Sequence, residues 1–428
     1  MARFEEHVRS TRLDSGVTVV TELMPGSLSV TTGVWVNVGS RDEAPEQAGA
    51  SHFLEHLLFK GTDTRSALDI AQAIDAVGGE MNAYTTKEYT TFYTRTVADD
   101  AALSLDILCD IISRPALRPE EVDSERQVIL EEIAMRADDP SDLVHDIIHE
   151  AIFPAHGLGR DTAGTIETVS ATTRDHIEDF LDATYTYDSI IVAVAGAVDH
   201  DATVQQVGDQ LRRPPSNGVP KRERPTGPRT PCTIIEDDTE QAHVVIAFPG
   251  MTRDDPDRFA MSVLDHVLGG GMSSRLFHEI REKRGLAYSV YSYRASYADA
   301  GFIGIYAGTA PKRTVEVLDL IGAELERLRA HGLSAEELRR AKGSVRGATA
   351  LSLEDSGARM SRIGRGQLLM GEITPVEELL ARTEAVEASD IQRVVERFLS
   401  GAACLAAVGP IHMADIAGHP LLSTPERN

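Results

Sequence analysis

Three cysteines, Cys109, Cys232 and Cys404, are all that the 428 residues contain, widely spread and odd in number. That excludes a disulfide framework and a cysteine metal knuckle, and it fits a reducing compartment in which all three are packing residues. Long apolar runs are also missing. The start, Met1 to Leu13, is charged and has no signal-type apolar core, and no later run is long enough to span a bilayer. These absences predict a cytoplasmic protein without membrane contact. Basic residues are scarce as well: 42 Lys and Arg stand against 67 Asp and Glu, a net charge of −25. This balance argues against a nucleic-acid partner, because phosphate contacts need basic patches. It is compatible with cationic or neutral peptides, and equally with an acidic solvated surface.

The length exceeds that at which one hydrophobic core stops growing, so two domains are expected. The stretch Arg212 to Pro231 holds Pro214, Pro215, Pro220, Pro225, Pro228 and Pro231 and sustains neither a helix nor a central strand. It reads as a linker, 213–231, between domains 1–212 and 232–428.

Against this background His52, Phe53, Leu54, Glu55 and His56 stand out. The histidines are four apart and Glu55 is three from His52, so the three side chains share one helical face. Two neutral imidazoles suit zinc, and a carboxylate that does not ligate can serve as a base. The order His-x-x-Glu-His inverts the commoner zinc signature. The pair His145 and His149 has the same spacing but only Asp146, Ile147 and Ile148 between, which predicts a structural role.

A catalytic zinc site usually needs a third protein ligand. The helix predicted after Pro119 carries Glu125 and Glu132 seven residues apart on one face, so one can ligate while the other supports it.

These residues resemble the pitrilysin or insulinase type of zinc peptidase, whose His-x-x-Glu-His is followed by a glutamate about 76 residues later; here 132 − 56 = 76. The resemblance runs from about Val17 to at least Leu369 and is closest to short bacterial proteins similar to the mitochondrial processing peptidase β subunit. It implies His52, His56 and Glu132 as ligands of one Zn2+ per chain, Glu55 as the general base and Glu125 as a supporting residue. By spacing alone, Glu131 competes with Glu132.

The chain also resembles itself. Leu117, Glu120, Glu121 and Val122 match Leu333, Glu336, Glu337 and Leu338 at an offset of 216, which carries Glu125 onto Ala341 and Glu132 onto Ala348. Strand-like runs Val30–Gly39 and His243–Gly250, and hairpins Asn82–Val97 and Ala287–Gly308, repeat in the same order. The expectation is a duplicated α+β unit with one metal site in the first copy; the family's two similar α/β roll domains agree with it.

In the second half, Gly269, Gly270 and Gly271 read as a flexible loop touching substrate or partner, since no P-loop lysine follows. The resemblance gives Arg281 and Tyr288 a role in holding substrate and polarising its carbonyl. It gives Asn82 and Ala83, on a glycine-led strand, a role in pairing with a peptide backbone. Asp142 and Asp146 match positions with which the processing peptidase binds an arginine, so a basic residue near the cleavage site is expected to be preferred. The implied function is a zinc metalloendopeptidase acting on peptides or unfolded precursor segments, working as a homodimer. The competing class is a non-catalytic scaffold or partner subunit of a larger complex.

Overall fold

Short apolar strands separated by glycine-marked turns build two sheets of the same design. A computed structural model describes residues 5–215, 221–227, 229–416 and 418–423. The first half contributes β1 (His7–Arg12), β2 (Thr18–Leu23), β3 (Ser29–Val36), α1 (Ala50–Leu58), α2 (Ala67–Ala76), β4 (Glu80–Thr85), β5 (Thr90–Val97), α3 (Ala101–Ser113), α4 (Pro119–Ala137), α5 (Pro140–Ile152), α6 (Ile166–Ala171), α7 (Arg174–Thr184), β6 (Ile190–Gly196) and α8 (His200–Gln210). The second contributes β7 (Cys232–Glu236), β8 (Ala242–Pro249), α9 (Arg258–Leu268), β9 (Ala287–Ser296), β10 (Gly301–Thr309), α10 (Thr314–His331), α11 (Ala335–Ser352), α12 (Ser356–Arg365), α13 (Val376–Glu384), α14 (Ala388–Phe398) and β11 (Cys404–Gly409).

The sheet orders are β1-β2-β6-β3-β5-β4 and β7-β11-β8-β10-β9. Replacing β2, β6, β3, β5 and β4 by β7, β11, β8, β10 and β9 turns one order into the other, with β1 an added edge. Both sheets are mixed: β2 with β6 and β7 with β11 are parallel, and the remaining pairs are antiparallel. The duplication read from Leu117 and Leu333 therefore extends to topology.

The compact units are interleaved rather than contiguous. One comprises Met1–Ile133, Asp161–Arg222 and Thr349–Glu377; the other comprises Ala134–Arg160, Glu223–Ala348 and Glu378–Asn428. This departs from the expected boundaries 1–212 and 232–428, and the cause is that each sheet has two apolar faces to cover. In the first unit one face packs on α1, α3 and α7 through Phe53, Leu108 and Ile177, and the other takes Met360 and Ile363 of α12 over Trp35 and Ala193. In the second unit α9, α10 and α14 cover one face through Leu264, Ile321 and Val394, while α5 covers the other through Val144, Ile148 and Ile152. The helices α5 and α12 are repeat counterparts: their capping residues Asp139 and Asp355 differ by 355 − 139 = 216, and each carboxylate accepts a backbone N–H.

Between 212 and 231 the described residues form neither helix nor strand; Pro220 and Pro228 lie outside them. Arg222 pins this stretch with two 2.8 Å bonds to the Asp42 carboxylate. All three cysteines are free thiols. No helix among the described residues is long and apolar enough to cross a membrane.

Candidate metal centre

The helix α1 begins at Gly49, whose φ of 96° places it in the left-handed region. A side chain there would also meet the Ala163 carbonyl at 2.6 Å. The N-terminus is capped from outside: the buried carboxylate of Glu43 accepts from the N–H of Gly49 at 2.9 Å and of Ser51 at 2.7 Å. Phe53, Leu54, Leu57 and Leu58 enter the core, and this fixes the rotation that turns His52, Glu55 and His56 to the other side.

Glu132 of α4 meets them. Its Oε2 lies 3.6 Å from His52 Nε2 and 3.7 Å from His56 Nε2. One donor atom from each of the three residues falls within 4.8 Å of the others, the sole such group of three or more His, Cys, Asp or Glu among the described residues. Tetrahedral zinc with bonds of about 2.0–2.1 Å puts ligand atoms roughly 3.3 Å apart, and both histidine–glutamate separations come within a few tenths of an ångström of that spacing. Glu131, next in sequence, is exposed and outside the group.

Glu125 sits two turns earlier on α4, buried at 3% exposure, with Val122 and Ile129 also buried on that helix. His56 Nδ1 donates to its Oε2 at 3.0 Å, and Lys60 Nζ donates to Oε1. The carboxylate thus holds the Nδ1 proton and leaves the Nε2 lone pair of His56 facing Glu132.

Glu55 is half-buried, and Thr85 Oγ1 at the end of β4 donates to its Oε2 at 2.5 Å. Burial pushes the Glu55 carboxyl up from its ordinary range, while the Thr85 hydrogen bond and the neighbouring His56 oppose the shift. Alternation along β4 puts Met81 and Ala83 against the same core as α1. The Asn82 Oδ1 accepts from Ala83 N–H at 2.8 Å.

The other expected residues lie in the second unit. Tyr288 is 78% exposed, and the Arg281 guanidinium lies 4.9 Å from its ring centre. Asp142 is exposed, whereas both oxygens of Asp146 accept from Arg136, at 2.9 and 2.8 Å, so the two carboxylates are not equivalent. His145 is clasped by Tyr293 and Tyr291 through its two ring nitrogens, in keeping with a structural role.

Sequence reasoning missed Lys60, Thr85 and Glu43. Lys60 was findable, one turn beyond His56, and Thr85 follows Ala83 by a strand's period of two. Glu43 lies in an irregular segment with no periodic signal.

An inverted His-x-x-Glu-His helix in the first of two duplicated α+β domains defines a known class of chain. Residues 18–166 match the family Insulinase (Peptidase family M16), and residues 171–345 match the Peptidase M16 inactive domain. A Streptomyces coelicolor protein described as an uncharacterized zinc protease is 47% identical over 94% of this chain and 90% of its own length. A Bacillus subtilis protein, described likewise, is 37% identical over 92% of this chain and 97% of its own. The crystal structure of a protease from Helicobacter pylori superposes with a TM-score of 0.89 at 21% identity, covering 95% of this chain and all of that one. The chain belongs to the M16 (insulinase) peptidase family. The second match, ending at residue 345, takes in Ala341, which stands where the first copy has Glu125.

Proposed function

We propose that the protein is a zinc metalloendopeptidase that hydrolyses peptides or unfolded segments. The observation that carries the reading is the convergence of His52 Nε2, His56 Nε2 and Glu132 Oε2 beside a half-buried Glu55. Bound by these atoms, zinc supplies the Lewis acidity that acidifies water and polarises a peptide carbonyl. Glu55 takes the proton of the attacking water on its carboxylate and returns it to the nitrogen of the departing amine. Thr85 fixes the orientation of that carboxylate. Glu125 and Lys60 keep His56 in the Nδ1–H tautomer.

A peptide aligned along β4, the outermost strand of its sheet, is presented to Glu55 through the strand that carries Thr85. Pairing there requires Asn82 to release the Ala83 N–H. Substrate binding by Arg281 and Tyr288, a preference for basic residues through Asp142, and a homodimeric working unit rest on the family resemblance. The test is mass-spectrometric mapping of products from an unstructured peptide: wild-type protein with zinc produces internal cleavages, and Glu55→Gln does not. Equal cleavage by both would remove Glu55 from the reaction, and failure of the wild-type protein to bind zinc at all would favour a scaffold.

A further inference from the structure

Beside the metal helix lies a cluster of four charges, Arg41, Asp42, Glu88 and Arg222. Arg41, Asp42 and Glu88 keep 2% or less of their side chains exposed and Arg222 keeps 12%, so solvent screens these charges little. Arg222, from the linker stretch, is the hub. Its Nε and Nη2 donate to the two oxygens of Asp42 at 2.8 Å each, and Nη2 also donates to the Glu88 carbonyl at 2.6 Å. A flat guanidinium fork makes these bonds at once, which a single ammonium does not.

The two segments that Arg222 joins each lead to one part of the site. On one side Glu43 follows Asp42 and caps α1 through the N–H groups of Gly49 and Ser51. On the other side the turn Thr86–Tyr89 follows Thr85, which donates to Glu55. Backbone bonds join the segments: Ser40 N–H donates to the Thr86 carbonyl at 3.1 Å and Arg41 N–H to the Lys87 carbonyl at 2.8 Å. The Arg41 guanidinium adds a 2.6 Å bond to the Glu88 carboxylate. Gly39 leaves no room for a side chain against this turn.

The second copy of the repeat keeps the clasp but draws its cation from elsewhere. Asp42 lies six residues after the end of β3, and Asp255 lies six after the end of β8. Asp255 accepts from Arg397 of α14 at 2.8 and 3.2 Å. At the offset of 216 Arg397 falls on Leu181 of α7, which is apolar and buried. The copy that holds the metal residues therefore takes its guanidinium from the linker stretch rather than from a helix of its own.

We infer that Arg222 is a positioning residue for the reaction, holding the turn behind Thr85 and the cap of α1 in one register and so fixing where Glu55 points. This rests on the peptidase reading. Without the fork, Asp42 and the Glu88 carbonyl lack a donor in a buried place, the turn loosens, and Thr85 no longer holds the Glu55 carboxylate in one orientation.

The test is Arg222→Met in the zinc-loaded protein, which keeps the stem and removes the donors. For an unstructured peptide, kcat should fall about tenfold or more at unchanged KM, because misplacing a catalytic group costs turnover rather than binding. The fall should vanish where Thr85→Val is already present, since both changes remove the same constraint. Peptide-resolved hydrogen exchange reads the clasp without turnover: exchange should quicken at 39–51, at 84–90 and in the stretch 212–222 itself, and stay unchanged in α3. Arg222→Lys keeps a charge beside Asp42 and covers the case in which Arg222→Met does not fold; it should show the same pattern with a fall of about threefold. Wild-type kcat in both variants, or a fall that multiplies with that of Thr85→Val, would overturn the inference. Exchange that rises evenly across the first unit would overturn it too, because it marks lost stability alone. A wild type that neither holds zinc nor cleaves removes the peptidase reading instead, and the exchange pattern then decides the clasp by itself.

Discussion

Glu125 holds His56 from the side away from the ligand cluster, with Oε2 3.0 Å from Nδ1, while Glu132 faces Nε2 of the same ring at 3.7 Å. Two carboxylates of one helix, two turns apart, thus address the two nitrogens of one imidazole. A carboxylate hydrogen-bonded to the far nitrogen orients the ring and raises its basicity, and losing such a partner typically costs 10- to 100-fold in metal affinity. Glu125→Gln should therefore weaken zinc binding by about that factor, measured by competition with a chromophoric chelator. Unchanged affinity would contradict the assignment.

Lys60 supplies the cation that Glu125 needs at 3% exposure. Lys60→Met leaves a buried carboxylate with one neutral donor and should cost about 1–3 kcal/mol, below the value for a fully buried pair because Lys60 is partly exposed. Urea midpoints at fixed zinc measure this, and Lys60→Arg should recover part of the loss. A midpoint unchanged in Lys60→Met would show that the contact is idle.

Thr85 donates to Glu55 and is not one of the three candidate ligands. Thr85→Val should lower turnover by about tenfold or more, on the scale of general-base contributions, with zinc content unchanged, and Thr85→Ser should restore it. Loss of zinc together with turnover would show that Thr85 acts through the metal residues instead.

In the second domain, Glu337 accepts from Arg275 at 2.7 and 2.9 Å and from Ser334 at 2.8 Å. Burial alone would raise its pKa, but these hydrogen bonds outweigh it and bring the carboxyl from 4.5 to about 2. A folded-state pKa below the unfolded one contributes stability above the unfolded value that disappears as pH falls through the folded value. Glu337→Gln should therefore be less stable than wild type at pH 7. The gap should close progressively from about pH 4.5 towards pH 2, as read from urea midpoints across that range. A gap independent of pH would assign the loss to shape rather than charge.

The metal residues were legible because a helix reports itself in sequence: His52, Glu55 and His56 at helical spacing, and Glu125 and Glu132 at two turns, carry their geometry in their numbers. The repeat was legible for the same reason, as an offset of 216 kept by Leu117 and Leu333 and by Asp139 and Asp355. The partition of helices between sheets was not. Val144, Ile148 and Ile152 show that α5 has an apolar face, but nothing local says that this face belongs to β8 and β11 rather than to the sheet of its own half. That choice is made by long-range packing, as is the Arg136 bond that engages Asp146. The Glu43 cap of α1 was invisible because irregular segments have no period from which to read a direction.

Chelator-reversible cleavage is the most direct test of the central claim. Zinc is removed from purified protein, cleavage of a quenched unstructured peptide is followed, and zinc is returned to wild type, Glu132→Gln and Glu131→Gln in parallel. The account predicts that wild type and Glu131→Gln lose and regain cleavage with about one bound zinc per chain, whereas Glu132→Gln neither holds zinc nor cleaves. Cleavage that survives complete zinc removal, or a Glu132→Gln protein that retains both metal and activity, would contradict it.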